Sequence, residues 1–595
     1  MYIPRKPTFL THILPLLLIT NHASARTAPC RCLPSDPCWP TPTAWAQFNK
    51  TLNGHLFALR PIGASCHGAE YDEARCNVVR NSTNNPLWRI SEPAAYQWTN
   101  WEVGEDRELN VEVGGCPISA PQDTPCLQGR IPVYAIMAHS AAEVQTAIRF
   151  AKEHDLRITI RNTGHDGMGR SSGSDSVQIN VNRLKDIQFV DNFIPRGGGE
   201  SDAEGRAVIV GAGVLGTELL DAGQGHGLNV MTGVCRSVGV VGGFLQGGGT
   251  SLLAPAYGLA ADNALQFTVV TAEGELVIAN KFENPDLFWA LCGGGGGTFG
   301  VVVDVTIRTF PDIPIVYALL TTTIMQQNET SPSAEQTLWK ITGEIANLLP
   351  DLKRRDDKTS AIIVPVILPD RVALTAAVMF PYSSDTQAAE VQFTKLRESL
   401  DTRGIPYNFN LTHYAHLSTY LNEPGPMHQS GIGQIEGSVF ISEKFFFQQN
   451  GPSEIVRTLS NLAFEPGDSV EILMSAGGQV KSNKELIDSA LNPAWRESAL
   501  GVSIRRNLSP DSSVKVFSGD MMASLRGIES PALGSYLNVA DPHQPDPGTA
   551  FWGANYERLY VVKRRWDPDG LFIVRLGVGS EDWDEEGLCR VREPR

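Results

Sequence analysis

The sequence predicts an α+β protein of at least two domains, and three observations support this prediction. With 595 residues, the chain is too long for one hydrophobic core. Helix-like and strand-like hydrophobic periods alternate from about residue 130 onward. From about Ile313, glycine becomes rarer and long helical patterns alternate with β-rich runs. The 42% hydrophobic and 19% charged residues are typical of an ordinary globular protein.

The N-terminus has the pattern of a secretory signal. Arg5 and Lys6 precede a short apolar run over residues 9–20, and Ala-Ser-Ala at 23–25 is a cleavage site of the A-x-A type. The run is shorter than the ~20 apolar residues that a membrane span needs. We therefore expect a signal peptide over 1–25, a secreted or secretory-lumen protein, and no stable membrane anchor.

Eight cysteines fit an oxidising compartment. They are Cys30, Cys32, Cys38, Cys66, Cys76, Cys116, Cys126 and Cys589. Zinc is the competing interpretation, but the spacings lack the usual paired C-x-x-C ligands. Disulfides are therefore predicted, no metal site is expected, and the pairing stays open. Cys235 and Cys292 stand apart in apolar or glycine-rich surroundings.

The glycosylation sequons and the net charge indicate which binding partners and modifications to expect. Five Asn-x-Ser/Thr sequons predict N-glycans at Asn49, Asn81, Asn328, Asn410 and Asn507. The formal charge of −16 argues against a nucleic-acid partner, because phosphate neutralisation needs clustered Lys and Arg.

Regular elements follow a cysteine- and proline-rich entry over 26–128. A capping box at Ser140 and Glu143 predicts the start of a helix. Strands are predicted over 157–161, 207–210, 267–271, 275–279 and 301–309. In the second half, helices are predicted over 334–349 and 385–400, and strands over 361–368, 372–380 and 438–447. A last helix is predicted to end at Trp566.

Two segments about seventy residues apart each hold one nucleophilic side chain. His165 lies in Arg-Asn-Thr-Gly-His-Asp at 161–166, a turn at a strand end where backbone N–H groups can converge on an anion. Cys235 lies in Gly-Val-Cys-Arg-Ser-Val-Gly at 233–239, before the glycine run at 242–249. The apolar flanks of that run favour close approach to a flat ligand. The alternative for His165 is a turn histidine that bonds its own loop.

Gly-Ala-Gly-Val-Leu-Gly at 211–216 has the form of a dinucleotide fingerprint. A Rossmann site would need an acidic residue about twenty positions later, at the end of a second strand. Residues 230–235 contain no carboxylate. We therefore interpret the segment as a glycine turn between a strand and a helix.

Further segments complete an ordered set of motifs. The segment 161–166 resembles the motif R-S/N-G/T-G-H-S/D, and the segment 234–239 resembles V-C-P-T-V-G. The segment 258–263 reads G-L-A-A-D-N. The segment 286–300 resembles D-L-F-W-A-x-x-G-G-G-G-x-F-G, and Asn-Tyr at 555–556 begins a C-terminal match. In these motifs the chain resembles the berberine-bridge-enzyme-like flavin oxidases of the vanillyl-alcohol-oxidase superfamily, especially the secreted fungal branch of isoamyl alcohol oxidases. The resemblance covers nearly the whole mature chain.

The resemblance implies a two-part fold. A PCMH-type FAD-binding domain, built from N- and C-terminal segments, is expected beside an α+β substrate domain with a mainly antiparallel sheet covered by helices. The implied boundaries are 26–128 for an N-terminal segment joining the FAD domain, 129–315 for the FAD-binding domain, 316–540 for the substrate-binding domain, and 541–595 for a C-terminal segment returning to the FAD domain.

The resemblance also implies FAD held by two covalent bonds. His165 would bond the 8α-methyl group of the flavin, and Cys235 would bond carbon 6. The other residues expected to bind FAD are Arg161, Asn162, Thr163, Gly164, Asp166, Gly169, Arg170, Ser171, Gly211, Gly213, Val238, Gly239, Gly242, Gly243, Gly247, Gly248, Asn555 and Tyr556.

Three positions depart from the family pattern. Arg236 replaces a proline, so that a cation either assists thiolate formation at Cys235 or faces solvent. Phe244 stands where the plant enzymes have histidine. Tyr536 keeps the first tyrosine of Y-x-N-Y while Val539 replaces the second. Tyr536 is thus the candidate catalytic base, with a lowered pKa, or else a buried structural tyrosine. Four other ionisable residues cannot be ranked from the sequence and are each expected at the surface or in the core: Glu436, Glu443, His413 and His416.

The resulting prediction is a secreted FAD-dependent oxidase. It would pass a substrate hydride to the flavin and then to O₂, giving H₂O₂. The substrate would be an alcohol or a secondary-metabolite biosynthetic intermediate. The alternatives are a carbohydrate oxidase, a flavin dehydrogenase with another acceptor, and, from another class, a non-catalytic flavin-binding secreted glycoprotein.

Overall fold

A computed structural model describes residues 30–103, 115–326, 333–423, 429–508 and 514–592. The predicted signal peptide and the sequon at Asn328 lie outside these residues. Helices and strands are both present, and most strand pairs are antiparallel, so the predicted α+β class is confirmed. In these ranges, none of the helices combines the length and apolarity needed to cross a bilayer.

The first half of the chain forms two sheets and a short ribbon. The four-stranded sheet, of order β1-β2-β4-β3, contains β1 (Leu56–Ala58), β2 (Tyr134–Met137), β3 (Ile158–Arg161) and β4 (Val177–Asn180). The five-stranded antiparallel sheet, of order β5-β6-β10-β8-β9, contains β5 (Ile187–Val190), β6 (Ala207–Gly211), β8 (Ala264–Val270), β9 (Leu276–Asn280) and β10 (Val301–Arg308). The ribbon pairs β7 (Leu228–Asn229) with β11 (Phe310–Pro311). The parallel strands β2, β3 and β4 are buried almost throughout, as expected for parallel strands.

The second half forms a seven-stranded antiparallel sheet of order β15-β12-β14-β13-β17-β18-β16. It contains β12 (Ile315–Met325), β13 (Ser360–Ile367), β14 (Arg371–Pro381), β15 (Asn408–Tyr414), β16 (Gln434–Ser442), β17 (Ser469–Met474) and β18 (Ser498–Asn507). This is the predicted antiparallel sheet with helices packed on it.

Helices lie in both halves. They are α1 (Pro42–Thr51), α2 (Glu73–Ser82), α3 (Pro86–Ser91), α4 (Ala141–Glu153), α5 (Gly216–Gly225), α6 (Ala254–Tyr257), α7 (Pro285–Leu291), α8 (Ala334–Ala346), α9 (Leu349–Arg355), α10 (Thr386–Thr402), α11 (Leu417–Asn422), α12 (Glu443–Phe446), α13 (Gly451–Ser460), α14 (Gly478–Ser482), α15 (Met522–Arg526), α16 (Pro547–Trp552) and α17 (Tyr556–Trp566). Ser333 and Asp385 cap α8 and α10 through side-chain oxygens that accept backbone N–H groups.

Each half has its own hydrophobic core. The first contains Phe267 and Phe299, and the second contains Val502 and Phe517. Trp552, near the C-terminus, packs in the first core. The end of the chain therefore returns to the first half.

The eight cysteines predicted to form disulfides all do so. The bonds are Cys30–Cys589, Cys32–Cys38, Cys66–Cys76 and Cys116–Cys126. Cys235 and Cys292 are free thiols. The Cys30–Cys589 bond ties the beginning of the described chain to its end.

Two local predictions are wrong. Ser140 caps α4 as predicted, but the capping box is open, because the Glu143 carboxylate accepts from the backbone N–H of His139 instead of from that of Ser140. The strand predicted over 438–447 ends at Ser442, whose side chain caps the short helix α12. A strong N-cap thus overrides the β-forming aromatic residues that follow it.

Candidate active site

A cavity lies where several strands of the first half of the chain end. Ile160, Val181, Ala212 and Val302 bring β3, β10 and the ends of β4 and β6 to its wall. Much of the remaining wall is glycine backbone from residues 239–243 and 296–300. At Gly243 an added Cβ would meet only Asn538 Oδ1, at 4.0 Å, so the backbone faces open space there. Such a wall allows a flat ligand to approach the main chain closely.

The loop after β3 supplies the polar side of this cavity. Gly164 has a φ of +76°, which lets the chain turn directly after Arg161. Asp166 closes the loop, because its carboxylate accepts from Arg170 Nε at 2.9 Å and from the backbone N–H of Ser171 at 2.8 Å. The loop is thereby held before any ligand arrives.

The two nucleophiles meet on one hydroxyl group. His165 Nε2 lies 2.8 Å from Ser237 Oγ, and Cys235 Sγ lies 3.4 Å from the same oxygen. Ser237 is only 1% exposed, and Trp98 packs edge-on against the His165 ring with 5.7 Å between ring centroids. The structure therefore brings together two residues that are seventy positions apart in the sequence.

Most of the residues predicted to bind a cofactor line this cavity. They are Asn162, Thr163, Gly164, His165, Asp166, Arg170, Ser171, Val238, Gly239, Gly242 and Gly243. Cys235 stands beside the cavity through its contact with Ser237.

Other predicted residues support the cavity from behind. The Arg161 guanidinium is fully buried and donates to the carbonyls of Glu92 and Arg89, both at 2.8 Å, so it does not neutralise a ligand charge. Burial lowers the pKa of Arg161 to about 10. Gly169 packs against the ring of Trp101, where a side chain would have no room.

The remaining predicted glycines serve packing. Gly211 and Gly213 lie against the backbone of residues 181–186, and only Ala212 between them reaches the cavity. The interpretation of 211–216 as a turn between strand β6 and helix α5 therefore agrees with the structure. Gly247 and Gly248 pack against Asn538 and Tyr536.

Asn555 and Tyr556 lie away from the cavity wall. Asn555 Nδ2 donates to the carbonyls of Ser489 and Leu491, and the Tyr556 hydroxyl donates to Glu581 at 2.6 Å. Asn555 thereby anchors the C-terminal segment to residues 489–491, whereas Tyr556 is bonded within that segment.

Several lining residues were missed by the sequence analysis. Gln246, Gly296, Gly297 and Val574 reach the cavity, and Ser237 contacts both nucleophiles. The glycines at 296 and 297 belong to a motif that was recognised, so that signal was present. Val574 carries no local signal, because only the return of the C-terminal segment places it there.

The cavity fits FAD on an independent observation. Asn162 Oδ1, Ser171 Oγ and Gln246 Oε1 are buried and have no hydrogen-bond partner among the described residues. Buried polar atoms normally have partners, so these atoms indicate a ligand with complementary groups. The two amide oxygens suit hydroxyl or N–H donors, and the serine hydroxyl suits a phosphate oxygen.

A second cavity adjoins the first. The run 242–250 contributes to both, with Phe244 in the first wall and Thr250 in the second. The rest of the second wall is mainly alternate residues of three adjacent strands. The remaining lining residues are Val439, Ser475, Trp495, Tyr536 and Val539. Because alternate strand residues share a face, one face of β16, β17 and β18 forms this wall.

The floor of the second cavity combines a row of polar side chains with a position that has no side chain. Ser438, Ser503 and Glu471 are neighbours across β16, β18 and β17. Gly501 lies one row further, between Phe440 and Leu473, and an added Cβ there would meet only Val439 O, at 4.0 Å. The missing side chain at Gly501 therefore leaves part of the cavity open.

A chain of charged side chains, buried at Glu436 and partly exposed at Arg505 and Glu471, connects the second cavity with the loop 161–171. Arg505 Nη2 donates to Glu471 Oε2 at 3.3 Å, and Arg505 Nε donates to Glu436 Oε2 at 3.2 Å. Glu436 fills the space beside Gly167 of the loop. Burial raises the pKa of Glu436, an effect that Arg505 opposes and the carboxylates of Glu471 and Asp166 reinforce.

The other unranked residues lie at the surface. His413 and His416 are exposed, and Glu443 pairs with Lys481 near the surface. Glu436 differs from them, because it is 4% exposed and touches the loop that carries His165.

Tyr536 lines the second cavity, but the prediction of a lowered pKa is wrong. Its hydroxyl accepts from the backbone N–H of Gly249 at 3.2 Å and from Asn538 Nδ2 at 3.0 Å. Burial raises the pKa of Tyr536 and outweighs these hydrogen bonds, which lower it. The phenol is therefore protonated near neutral pH.

Arg236 adopts neither of its two predicted roles. Its guanidinium donates to the backbone carbonyls of Leu421 and Glu423, at the C-terminal end of α11. A cation at a helix C-terminus satisfies carbonyls that lack intrahelical partners. Arg236 therefore ties the Cys235 segment to the second half of the molecule.

Comparison with known proteins agrees with this geometry. A family model described as FAD binding domain matches residues 132–280, and one described as berberine and berberine like matches residues 535–579. The flavin-dependent oxygenase ucdF of Aspergillus ustus is 56% identical over 92% of this chain and 98% of its own. The FAD-linked oxidoreductase malF of Malbranchea aurantiaca is 38% identical over 97% of both chains. The VAO-type flavoprotein MtVAO615 from Myceliophthora thermophila C1 is 29% identical, with a TM-score of 0.79 over 95% of this chain and 100% of that one.

The fold and the first cavity thus define a VAO-type flavoprotein. The chain belongs to the berberine-bridge-enzyme-like family within that superfamily, as its motifs predicted, and it is an FAD-dependent oxidoreductase.

Proposed function

We propose that the protein is an oxidase whose FAD is attached through both His165 and Cys235, and that it oxidises a small molecule held in the second cavity. The observation that carries the proposal is the meeting of both nucleophiles at Ser237, beside a cavity with walls of bare backbone. A solvent-exposed or core role for either nucleophile does not account for this arrangement.

Different residues of the first cavity would bind different parts of FAD. The loop 161–171 would receive the pyrophosphate on backbone N–H groups and on Ser171, while Asp166 holds Arg170 in place. Asn162 and Gln246 would accept hydrogen bonds from hydroxyl or N–H groups. When bound, FAD accepts the substrate hydride and passes the electrons on to O₂.

We propose that the carboxylate of Glu471 accepts the proton that the substrate loses when it is oxidised. Of the described residues that line the second cavity, it is the only one with a carboxylate, and the phenol of Tyr536 is protonated. Arg505 balances the charge of Glu471 from the side away from the cavity. Ser438 and Ser503 supply hydroxyl groups that can orient a polar substituent of the substrate.

The second cavity favours an alcohol or a ring-containing biosynthetic intermediate over an oligosaccharide. The aromatic side chains of Phe440, Trp495 and Tyr536 enclose it. Such walls select a single flat group over a chain of sugars.

The domain boundaries and the export route complete the proposal. The FAD-binding domain would span 129–315 with help from 26–128 and 541–595, and the substrate domain would span 316–540. The four disulfides are compatible with secretion after cleavage of the signal peptide. We propose glycans at Asn81 and Asn410, which are exposed; the amide oxygens of Asn49 and Asn507 accept hydrogen bonds within the fold.

Two measurements on the purified protein test this function. After acid precipitation, the flavin absorbance should remain with the pellet. With a panel of primary and benzylic alcohols, turnover in air should release one H₂O₂ per substrate oxidised. Dye reduction that is fast only when O₂ is removed would identify a dehydrogenase instead. A colourless pellet would exclude covalent attachment while leaving the oxidase assignment open.

A further inference from the structure

The contacts of Ser237 exceed what packing requires. Its hydroxyl lies 2.8 Å from His165 Nε2 and 3.4 Å from Cys235 Sγ, in a position that is 99% shielded from solvent. A serine hydroxyl has one proton to donate and two lone pairs to accept with. It can therefore serve both neighbours at once.

One arrangement of the protons on Ser237, His165 and Cys235 makes both nucleophiles reactive at the same time. If Ser237 accepts the N–H of His165 Nε2, the imidazole is held as the tautomer whose lone pair lies on Nδ1. The serine proton is then directed at Cys235 Sγ, where it stabilises a thiolate, the reactive form of cysteine. The opposite orientation would place the lone pair of His165 on the nitrogen that faces Ser237.

We propose that Ser237 is a positioning residue for covalent flavin attachment, and that it prepares His165 and Cys235 through a single hydroxyl group. The inference rests on the double attachment in the proposed function. In each linkage, an N–H or S–H bond of the protein and a C–H bond of FAD are replaced by an N–C or S–C bond. The two protons and two electrons that are released pass to O₂, which becomes H₂O₂. Ser237 is regenerated and is not consumed.

The test compares variants that differ only in the hydroxyl. Ser237→Thr and Ser237→Val have the same shape, but only threonine keeps the hydroxyl. Ser237→Ala removes the hydroxyl without adding bulk. Ser360→Ala is the matched control, because Ser360 is a buried serine of strand β13 that lines neither cavity. Each protein is purified with its flavin, checked by gel filtration and thermal unfolding, and digested for mass spectrometry of the flavin-linked peptides.

We expect the peptide pair joined through flavin at both His165 and Cys235 to dominate in the wild type, in Ser360→Ala and in Ser237→Thr. In Ser237→Val and Ser237→Ala, its fraction should fall about tenfold or more. Equal fractions in the threonine and valine variants would overturn the role of Ser237, whether both keep or both lose the links. A wild type without double links would instead refute the attachment in the proposed function, so the two failures are distinguishable.

Discussion

The two cavities of this protein are built in opposite ways. The flavin cavity is walled by main chain at strand ends and by glycines such as Gly242, Gly243 and Gly296. The second cavity is walled by alternate side chains on one face of three antiparallel strands. Glycine-rich turns leave recognisable motifs, whereas a strand face leaves only a period of two that many strands share. The proposed cofactor site could therefore be predicted from the sequence, and the proposed substrate site could not.

The comparison also implies that the two sites can be separated by mutation. Changes at the flavin cavity should alter how much flavin is attached. Changes on the strand face should alter turnover while the attached flavin stays constant. The predictions below test this division, beginning with the largest expected effect.

Replacing both His165 and Cys235 by alanine should remove all acid-stable flavin, because no nucleophile would remain at Ser237. The single variant His165→Ala should keep its Cys235 link. Flavin absorbance in acid-precipitated pellets measures both effects. Glu471→Gln serves as the control and should retain the full signal. A yellow pellet from the double variant would show that another residue carries the flavin.

Glu471→Gln should reduce kcat/KM for the best alcohol of the panel by about 100-fold, because the substrate proton loses its acceptor. Flavin content should not change. Glu443→Gln, at an ion pair near the surface, is the matched control and should have wild-type kinetics. If Glu471→Gln stays within about threefold of the wild type, the proton acceptor is another group.

Gly501→Leu should raise KM about tenfold or more, since the leucine side chain would occupy the open part of the second cavity. Gly501→Ala should give an intermediate value. The matched control is Gly225→Leu, at an exposed helix end where an added Cβ meets nothing within 4 Å. Unchanged KM values across the panel would place the substrate elsewhere.

Tyr536→Phe should lower kcat about tenfold, because the backbone N–H of Gly249 and the amide of Asn538 lose their common acceptor. The high-pH limb of the kcat profile should not move, because burial raises the pKa of Tyr536 and keeps the phenol protonated. Loss of a titration step in the variant would restore Tyr536 as a base.

Glu436→Gln should give the smallest effect, a change in thermal stability that depends on pH. The pKa of Glu436 lies above its ordinary value of 4.5 in the folded state, so the native protein loses stability as pH rises from about 4.5 through the raised value. In the Glu436→Gln variant the side chain does not ionise, so the folded protein does not lose this stability as pH rises. The Tm of the variant relative to the wild type should therefore increase between pH 4 and 7, by about 1 °C per kcal/mol, because the unfolding entropy grows with chain length and this chain has 595 residues. A Tm difference that is equal at both pH values would contradict the prediction.

Features that depend on local contacts were predicted correctly from the sequence, whereas features that depend on contacts between distant segments were not. The strands before His165 and the helix after Ser140 were predicted correctly, because hydrophobic period and capping are local. Arg161 and Asn555 sit in motifs of the family, yet neither lines the cavity, because each donates to carbonyls that are 72 and 64 positions away in the sequence, respectively. Tyr556 also lies away from the cavity and donates to Glu581. The wrong pKa for Tyr536 has the same cause, since burial depends on residues from both halves of the chain.

The sequence by itself determined the family, the FAD-binding character, the positions of His165 and Cys235, and which eight cysteines form disulfides. These features depend on short segments whose backbone or chemistry tolerates few alternatives. Only the tertiary structure decided which cysteines pair, that Ser237 stands between the two nucleophiles, and that Gly501 and Glu471 share a cavity. Each of these depends on distances between segments that are adjacent only after folding, and no local pattern of residues encodes such distances.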